Sequence, residues 1–423
     1  DQLVLVGSDF AAALGAAASA SPAGRPLKTP CHAFADSAAA AVAIGALVGL
    51  GACSSVTSRS AARWTVSPSL ADTVRTEVLA PGVRLHHLVR LTTPLRAHVL
   101  DIDLRSCVAM RAIKGSGTAV GRKTTTELLQ SLPATERAIA AVNADFFLFA
   151  PPGVPVGAFV EEGHLLSGPI ERPVLAFDDQ GRPFIGRLTV QGTLTTSRVT
   201  IPVSSWNRPS PNAVGLVDAA WGQAPDSLSR PGALALVPID SRAAAARRRY
   251  RVSALPAAHT GQALGDTLML VGSARASVLV GDTVTVSLAL APLMPVNAVG
   301  GFPLLVRDSV IVPTVDTDGA VSFRGVNPRT AAGFSANGRR LLLVVIDGRQ
   351  AGLSAGTTIR ETAALLRDLG AREAINLDGG GSTAMVVRDA TTGQTQVVNK
   401  PSDATGERPV ANALAVLGRC GRS

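Results

Sequence analysis

Short apolar runs broken by glycine and proline set the pattern of this chain. Residues 83–91 and 97–104 are β-branched and partly alternating, which predicts two strands. Residues 124–132 carry a helical pattern stopped by Pro133, and 138–142 form a continuous apolar run that leads into Asn143-Ala144-Asp145-Phe146-Phe147. From 185 to 295 the pattern is a succession of short alternating strands, among them 278–289, with no repeat of fixed period. Farther on, 341–346 read as a buried strand, 357–369 as an amphipathic helix closed by Gly370, and 374–377 as a second strand. Strand, helix and strand in that order predict a βαβ-like unit. The expected class is α+β: a β-rich protein with a mixed-sheet core flanked by helices and a strand-rich middle segment.

The first part of the chain has a different character. Residues 38–52 are uninterruptedly small and apolar, follow Arg25, Lys28 and His32, and fall short of the ~20 residues a spanning helix needs. The run ends Leu50-Gly51-Ala52-Cys53, which resembles the lipobox of bacterial lipoproteins, where the cysteine is acylated. The first methionine is Met110, so a non-standard start is expected, read at Leu27. This divides the chain into a leader (1–53), a Ser-, Thr- and Arg-rich tether (54–75) and one large domain (76–420). The protein is expected to be exported, and to be a lipid-anchored envelope protein or periplasmic or extracellular, touching a membrane only through its anchor. An oxidising compartment favours disulfides, and Cys107 and Cys420 are predicted to pair.

Composition narrows the partners. With 46% hydrophobic and 17% charged residues the body of the chain folds, while 41 glycines and 27 prolines against 4% aromatics favour turns over long helices. The net charge of +9 suits polyanions of several kinds. The densest basic run, Arg247-Arg248-Arg249-Tyr250-Arg251, lacks the interleaved aromatics of a single-strand binder and reads as a solvated face, so no nucleic-acid partner is expected. No Cys-x-x-Cys pair or His at zinc spacing occurs, so the expected metal set is empty.

Candidate chemistry lies at strand ends. The run 341–346 leads into Asp347-Gly348-Arg349, and 374–377 into Asp378-Gly379-Gly380-Gly381-Ser382-Thr383. Two carboxylates thus stand at the ends of strands that could be neighbours. The glycines allow close backbone approach, and the second loop could form an amide nest for an anion or a tight hairpin turn. Two other motifs fail. Gly352-Leu353-Ser354-Ala355-Gly356 matches a serine-hydrolase elbow, yet the last histidine, His259, precedes it. Gly121-Arg122-Lys123-Thr124 lacks the upstream glycines of a phosphate-binding loop.

Five ordered stretches resemble the signatures of phosphodiester glycosidases: Asn327-Pro328-Arg329-Thr330-Ala331-Ala332-Gly333; residues 344–350; residues 352–356; residues 374–383; and Asn399 to Asp403 with Gly406 to Leu414. The likeness extends upstream to residues 142–147, to Pro155-Val156-Gly157 and to 299–305, and is loose over 185–295. One departure is Asn143-Ala144-Asp145, where the family usually has Asn-Gly-Gly. The resemblance implies hydrolysis of a glycosyl phosphodiester, N-acetylglucosaminyl-like, to free sugar and phosphomonoester, with an envelope or extracellular glycan such as an exopolysaccharide as substrate. It implies catalytic roles for Asp347, Asp378 and Arg329. Substrate contacts are implied for Asn143, Gly300, Gly301, Arg349, Asn376, Gly379, Gly380, Gly381, Ser382, Thr383, Arg408 and Asn412. A phosphate is already a good leaving group, so the site must chiefly neutralise its charge and activate water or supply a nucleophile on the sugar side. No cofactor is required, a divalent cation being the alternative. The competing readings are a metal-dependent phosphodiesterase and a non-catalytic module that binds anionic glycans.

Overall fold

The computed structural model describes residues 71–419, apart from 209–212, 223–233, 240–247, 255–264, 273–276 and 320. The leader, the lipidation candidate Cys53, most of the tether and Cys420 lie outside the described residues. The first strand, Thr73–Ala80, begins within the span read as tether.

The described residues are mostly strand, with a few short helices. An eight-stranded antiparallel sheet forms the backbone of the fold, in the order Thr73–Ala80, Val83–Arg90, Leu95–Asp103, Arg340–Ile346, Arg329–Phe334, Glu373–Asn376, Leu304–Arg307 and Val310–Ile311. Strand Arg340–Ile346 is buried on both faces because its side chains alternate between two cores. Leu341, Leu343 and Val345 enter the larger core, and Leu342, Val344 and Ile346 the other. That second core is closed by helix Ile359–Asp368, whose Ile359, Ala363 and Leu366 pack into it. Thr358 and Glu361 form a reciprocal capping box at its start, and Gly370, at φ +93°, turns the chain out at its end.

The predicted βαβ unit is present in split form. Strands Arg340–Ile346 and Glu373–Asn376 run parallel, but Arg329–Phe334 lies between them and pairs antiparallel with both. Periodicity shows each strand and not its neighbour, so an earlier segment can insert between the two. Two five-stranded sheets pack against the other face of the large one. The first runs Thr395–Val397, Met385–Arg388, Ala138–Asn143, Ala413–Gly418, Val108–Ile113, and the second His164–Ser167, Phe159–Glu161, Asn297–Gly300, Pro173–Phe177, Pro183–Arg187. Val142, Leu414, Phe159, Val299, Leu343 and Ile375 meet in one core drawn from all three sheets. The middle segment makes a further eight-stranded sheet with its own core around Leu194, Leu236, Val252 and Val284. There the strand expected at 278–289 is Thr283–Ala291.

Candidate active site

Several strand ends meet at one place. Asn143 closes strand Ala138–Asn143, and its amide Nδ2 donates to the carbonyl of Asp378 at 2.7 Å. Its Oδ1 accepts from the Thr330 hydroxyl at 2.6 Å and from the amide of Ala384 at 3.1 Å. Asn143 thereby ties three strand ends together. The Asp378 amide donates to the carbonyl of Ala144, and the Leu377 amide to that of Thr330, both at 2.8 Å. On the other side, the Ala144 amide donates to the Asn412 carbonyl, and the Asp145 amide to Asn412 Oδ1 at 2.9 Å.

Two carboxylates are thus fixed in one neighbourhood by main-chain bonds. Asp145 is 1% exposed, and its Oδ2 accepts from the amide of Gly157 at 2.8 Å. Burial pushes its pKa up to about 7; the Gly157 bond, Arg172 and Arg208 hold it down, and the charge of Asp378 raises it further. Asp378 is half-buried, and loss of solvation likewise pushes it up to about 7, against the pull of the Ser382 hydroxyl, Arg408 and the Gly379 amide. As a departure from the family pattern, Asp145 fits in sequence either a local specialisation near the site or a strand-end cap. Its environment makes it a second titratable acid beside Asp378.

The loop after Asp378 is not the hairpin turn that the sequence allowed. Gly380–Ser382 is a single 3₁₀ turn, with Gly380 at φ +62°, and the strand follows at Met385–Arg388. Each glycine is closely covered. A Cβ on Gly379 would meet the Pro328 carbonyl at 2.8 Å, and one on Gly380 would meet Arg349 Nη2 at 3.1 Å. On Gly381 the Arg408–Asp403 pair stands in the way. Arg349, itself at φ +60°, donates from Nε and Nη2 to Asn327 Oδ1, and Arg408 binds both oxygens of Asp403. Thr383 Oγ1, Asn376 Oδ1 and Asn412 Nδ2 are buried with no hydrogen-bond partner among the described residues. They can serve a ligand.

Other predicted residues are occupied otherwise. Arg329 is 3% exposed, and its guanidinium donates to the carbonyls of Thr357, Phe323 and Gly325 at 2.6–3.0 Å. Burial and the charge of Arg349 pull its pKa down to about 10. The Asp347 carboxylate accepts from the Lys400 amide at 2.8 Å and from Asn399 Nδ2 at 3.3 Å, and its other oxygen faces His98 Nε2 at 3.4 Å. From His98 the chain of polar contacts runs to His87 and on to Glu77. Gly300 packs against the Asp145 carboxylate and Gly301 against Asn376: a Cβ on Gly301 would meet the Asn376 carbonyl at 2.6 Å, and Asn376 Nδ2 donates to the carbonyl of Phe302 at 2.8 Å.

Two cations escaped the sequence reading. Lys114 Nζ donates to the carbonyls of Gly121, Gly153 and Ala411 at 2.6–2.8 Å, pinning the backbone that carries Asn412; burial pulls its pKa down to about 7. Arg172 lies over the rings of Phe302 and Phe146, with Cζ 5.0 and 5.8 Å from their centres. Among the described residues no three His, Cys, Asp or Glu side chains converge as a metal site.

Residues 268–417 match the phosphodiester glycosidase family. That span holds all five ordered signatures and the Asp378 loop, while Asn143, Asp145 and Arg172 lie before it. In fold, the chain is similar to a hypothetical protein from Synechocystis, with a TM-score of 0.66 at 24% identity, over 82% of this chain and 64% of that one. It therefore spans less than two thirds of that protein. A protein of Burkholderia pseudomallei described as exported aligns with a TM-score of 0.54 at 27% identity, over 78% of this chain and 75% of that one. The catalytic domain of zebrafish N-acetylglucosamine-1-phosphodiester α-N-acetylglucosaminidase, auto-inhibited by its pro-peptide, aligns at 15% identity with a TM-score of 0.43, over 82% and 81% of the two chains. No curated protein matches the sequence.

Proposed function

We propose that this protein hydrolyses a sugar joined through its anomeric carbon to a phosphodiester, with Asp145 and Asp378 as its pair of acid and base. The observation that carries this reading is that main-chain bonds hold two carboxylates in one neighbourhood, Asp378 within the span that matches the family and Asp145 outside it, where loss of solvation pushes both up to about 7. Two like charges in one poorly solvated neighbourhood favour a state in which one is protonated and one ionised. The ionised member accepts a proton from water as its oxygen bonds to the anomeric carbon. The bond from that carbon to the phosphate oxygen breaks, and the phosphomonoester leaves with the electron pair, assisted by the protonated member. Sugar and phosphomonoester are the products.

An N-acetylglucosaminyl unit on an envelope or extracellular glycan such as an exopolysaccharide suits the family likeness, and the leader with its lipobox-like Cys53 supports export with a lipid anchor. The similar Burkholderia protein, described as exported, agrees with that placement.

The deciding experiment follows sugar release from an α-N-acetylglucosaminyl phosphodiester by wild type and by Asp378→Asn, with and without chelator. Release by wild type that is indifferent to chelator and lost in the variant supports the proposal. Loss with chelator would turn the reading toward a metal-dependent phosphodiesterase. A folded protein that cleaves no member of a panel of glycosyl phosphodiesters would be a glycan-binding module.

A further inference from the structure

We propose that Arg172 is the residue that recognises the phosphoryl group of the ligand, held ready for it by the rings of Phe146 and Phe302. This rests on the glycosyl-phosphodiester reading above and adds a residue to which neither the motifs nor the family likeness assigns a role.

The argument is one of donors already spent. Arg329 gives its Nε and Nη2 to three carbonyls, Arg349 is bound to Asn327, and Arg408 to both oxygens of Asp403. Arg208 donates to the carbonyls of Gly168, Pro155 and Gly157 and to the Ser167 hydroxyl. Of these five arginines, only the guanidinium of Arg172 has no hydrogen-bond acceptor among the described residues, although it is half-buried. A guanidinium that has lost water and gained no acceptor is costly unless something else supplies one. Bidentate recognition of a phosphoryl oxygen pair is what that planar fork does best.

Its position is fixed before any ligand arrives. The side chain is braced over the two rings, each next in sequence to a residue of the site: Phe146 follows Asp145, and Phe302 follows Gly301. The main chain is set by the Arg172 amide bond to the Ile170 carbonyl at 2.6 Å, just before strand Pro173–Phe177. Asp145 attracts Arg172 electrostatically, yet no ion pair joins them. A second unspent donor belongs to a neighbour of Asp145: Asn412 Nδ2 is buried without a partner, on the side chain whose oxygen accepts from the Asp145 backbone amide. Two unspent donors on residues that neighbour Asp145 are suited to an anion.

The plainer alternative is that Arg172 only offsets the charge of Asp145, and the test separates the two. Inorganic phosphate is titrated by calorimetry into the full chain as wild type, Arg172→Gln, Asp145→Asn and the double variant, with folding checked by circular dichroism. Arg172→Gln is expected to weaken phosphate binding roughly 10- to 100-fold in both backgrounds, and Phe302→Leu, which keeps the charge but removes the brace, to weaken it less. Unchanged binding in Arg172→Gln, a loss seen only when Asp145 is present, or no phosphate binding by wild type would each overturn the proposal. Titration needs no turnover, so failure to cleave any glycosyl phosphodiester would leave this result standing, and normal cleavage with unchanged phosphate binding would remove Arg172 alone.

Discussion

Asp145 rests directly on Gly300: a Cβ built on that glycine would lie 2.4 Å from Oδ2 of the carboxylate and 2.7 Å from its Cγ. Gly157 supports it from another side, where an added Cβ would come within 2.9 Å of Oδ2. The glycines are needed here for space rather than for an unusual backbone angle. Gly300→Ala is therefore expected to displace Asp145, lowering hydrolysis by roughly 100-fold and stability by about 1–3 kcal/mol. A variant with full activity would show that Asp145 takes no part in the reaction.

Stability should fall as pH rises into the neutral range. Asp145 and Asp378 keep their protons up to about 7 in the folded chain, whereas the unfolded chain loses them near 4. Their contribution is fully present below the unfolded value and is lost as pH rises through the folded one. Asp145→Asn removes one such group, so it should gain Tm over wild type at pH 7.5 and little at pH 4.5, by about 4 kcal/mol at most. The same variant should be inactive. A Tm difference that is flat across that range would contradict the raised pKa.

Asp347 should behave differently from Asp378. Its carboxylate is already bound by the Lys400 amide and Asn399, and its backbone carbonyl accepts the Ser354 hydroxyl at 2.6 Å. Asp347→Asn is expected to cost about 1–3 kcal/mol of stability with less than a tenfold loss of kcat, whereas Asp378→Asn should abolish turnover. Equal losses of kcat with unchanged melting would place Asp347 among the reacting groups instead.

The pairing of Cys107 with Cys420 makes its own prediction. The Arg419 amide donates to the Cys107 carbonyl at 2.8 Å, which brings the residue preceding Cys420 alongside Cys107. Oxidised protein should yield the joined peptides on non-reducing digestion, and reduction should lower stability by about 2–5 kcal/mol. Two free thiols in protein recovered from an oxidising compartment would disprove the link.

Much of the site was legible because its pieces sit where strands end. Asp378 and its glycine loop follow an apolar run, so pattern placed them, while Asn143, at the end of another run, was singled out by the family resemblance. What decides the role of an arginine is less visible. Arg329 stands in the first of the five signature stretches, yet the carbonyls that occupy it come from Phe323, Gly325 and Thr357, and no spacing rule shows that they converge. Arg172 sits in an unremarkable Glu-Arg-Pro; its meaning depends on Phe146 and Phe302, which the packed sheets bring together. Asp145 departs from the family pattern, which by itself fits either a specialisation of the site or a strand-end cap, and its burial is not visible in the sequence. The split strand order was hidden for a related reason, since pairing partners are chosen by packing rather than by adjacency.

Strand Ala413–Gly418 lies between Val108–Ile113 and Ala138–Asn143 and pairs with both. It comes later in the chain than the other four strands of its sheet, and Asn412, whose side chain accepts from the Asp145 amide, immediately precedes it. The sheet that carries Asn143 therefore cannot close until synthesis has passed residue 418. Contacts so distant in sequence are costly to close, so a chain that stops short of residue 412 lacks the side chain that accepts from Asp145 and the strand that joins Ala138–Asn143 to Val108–Ile113.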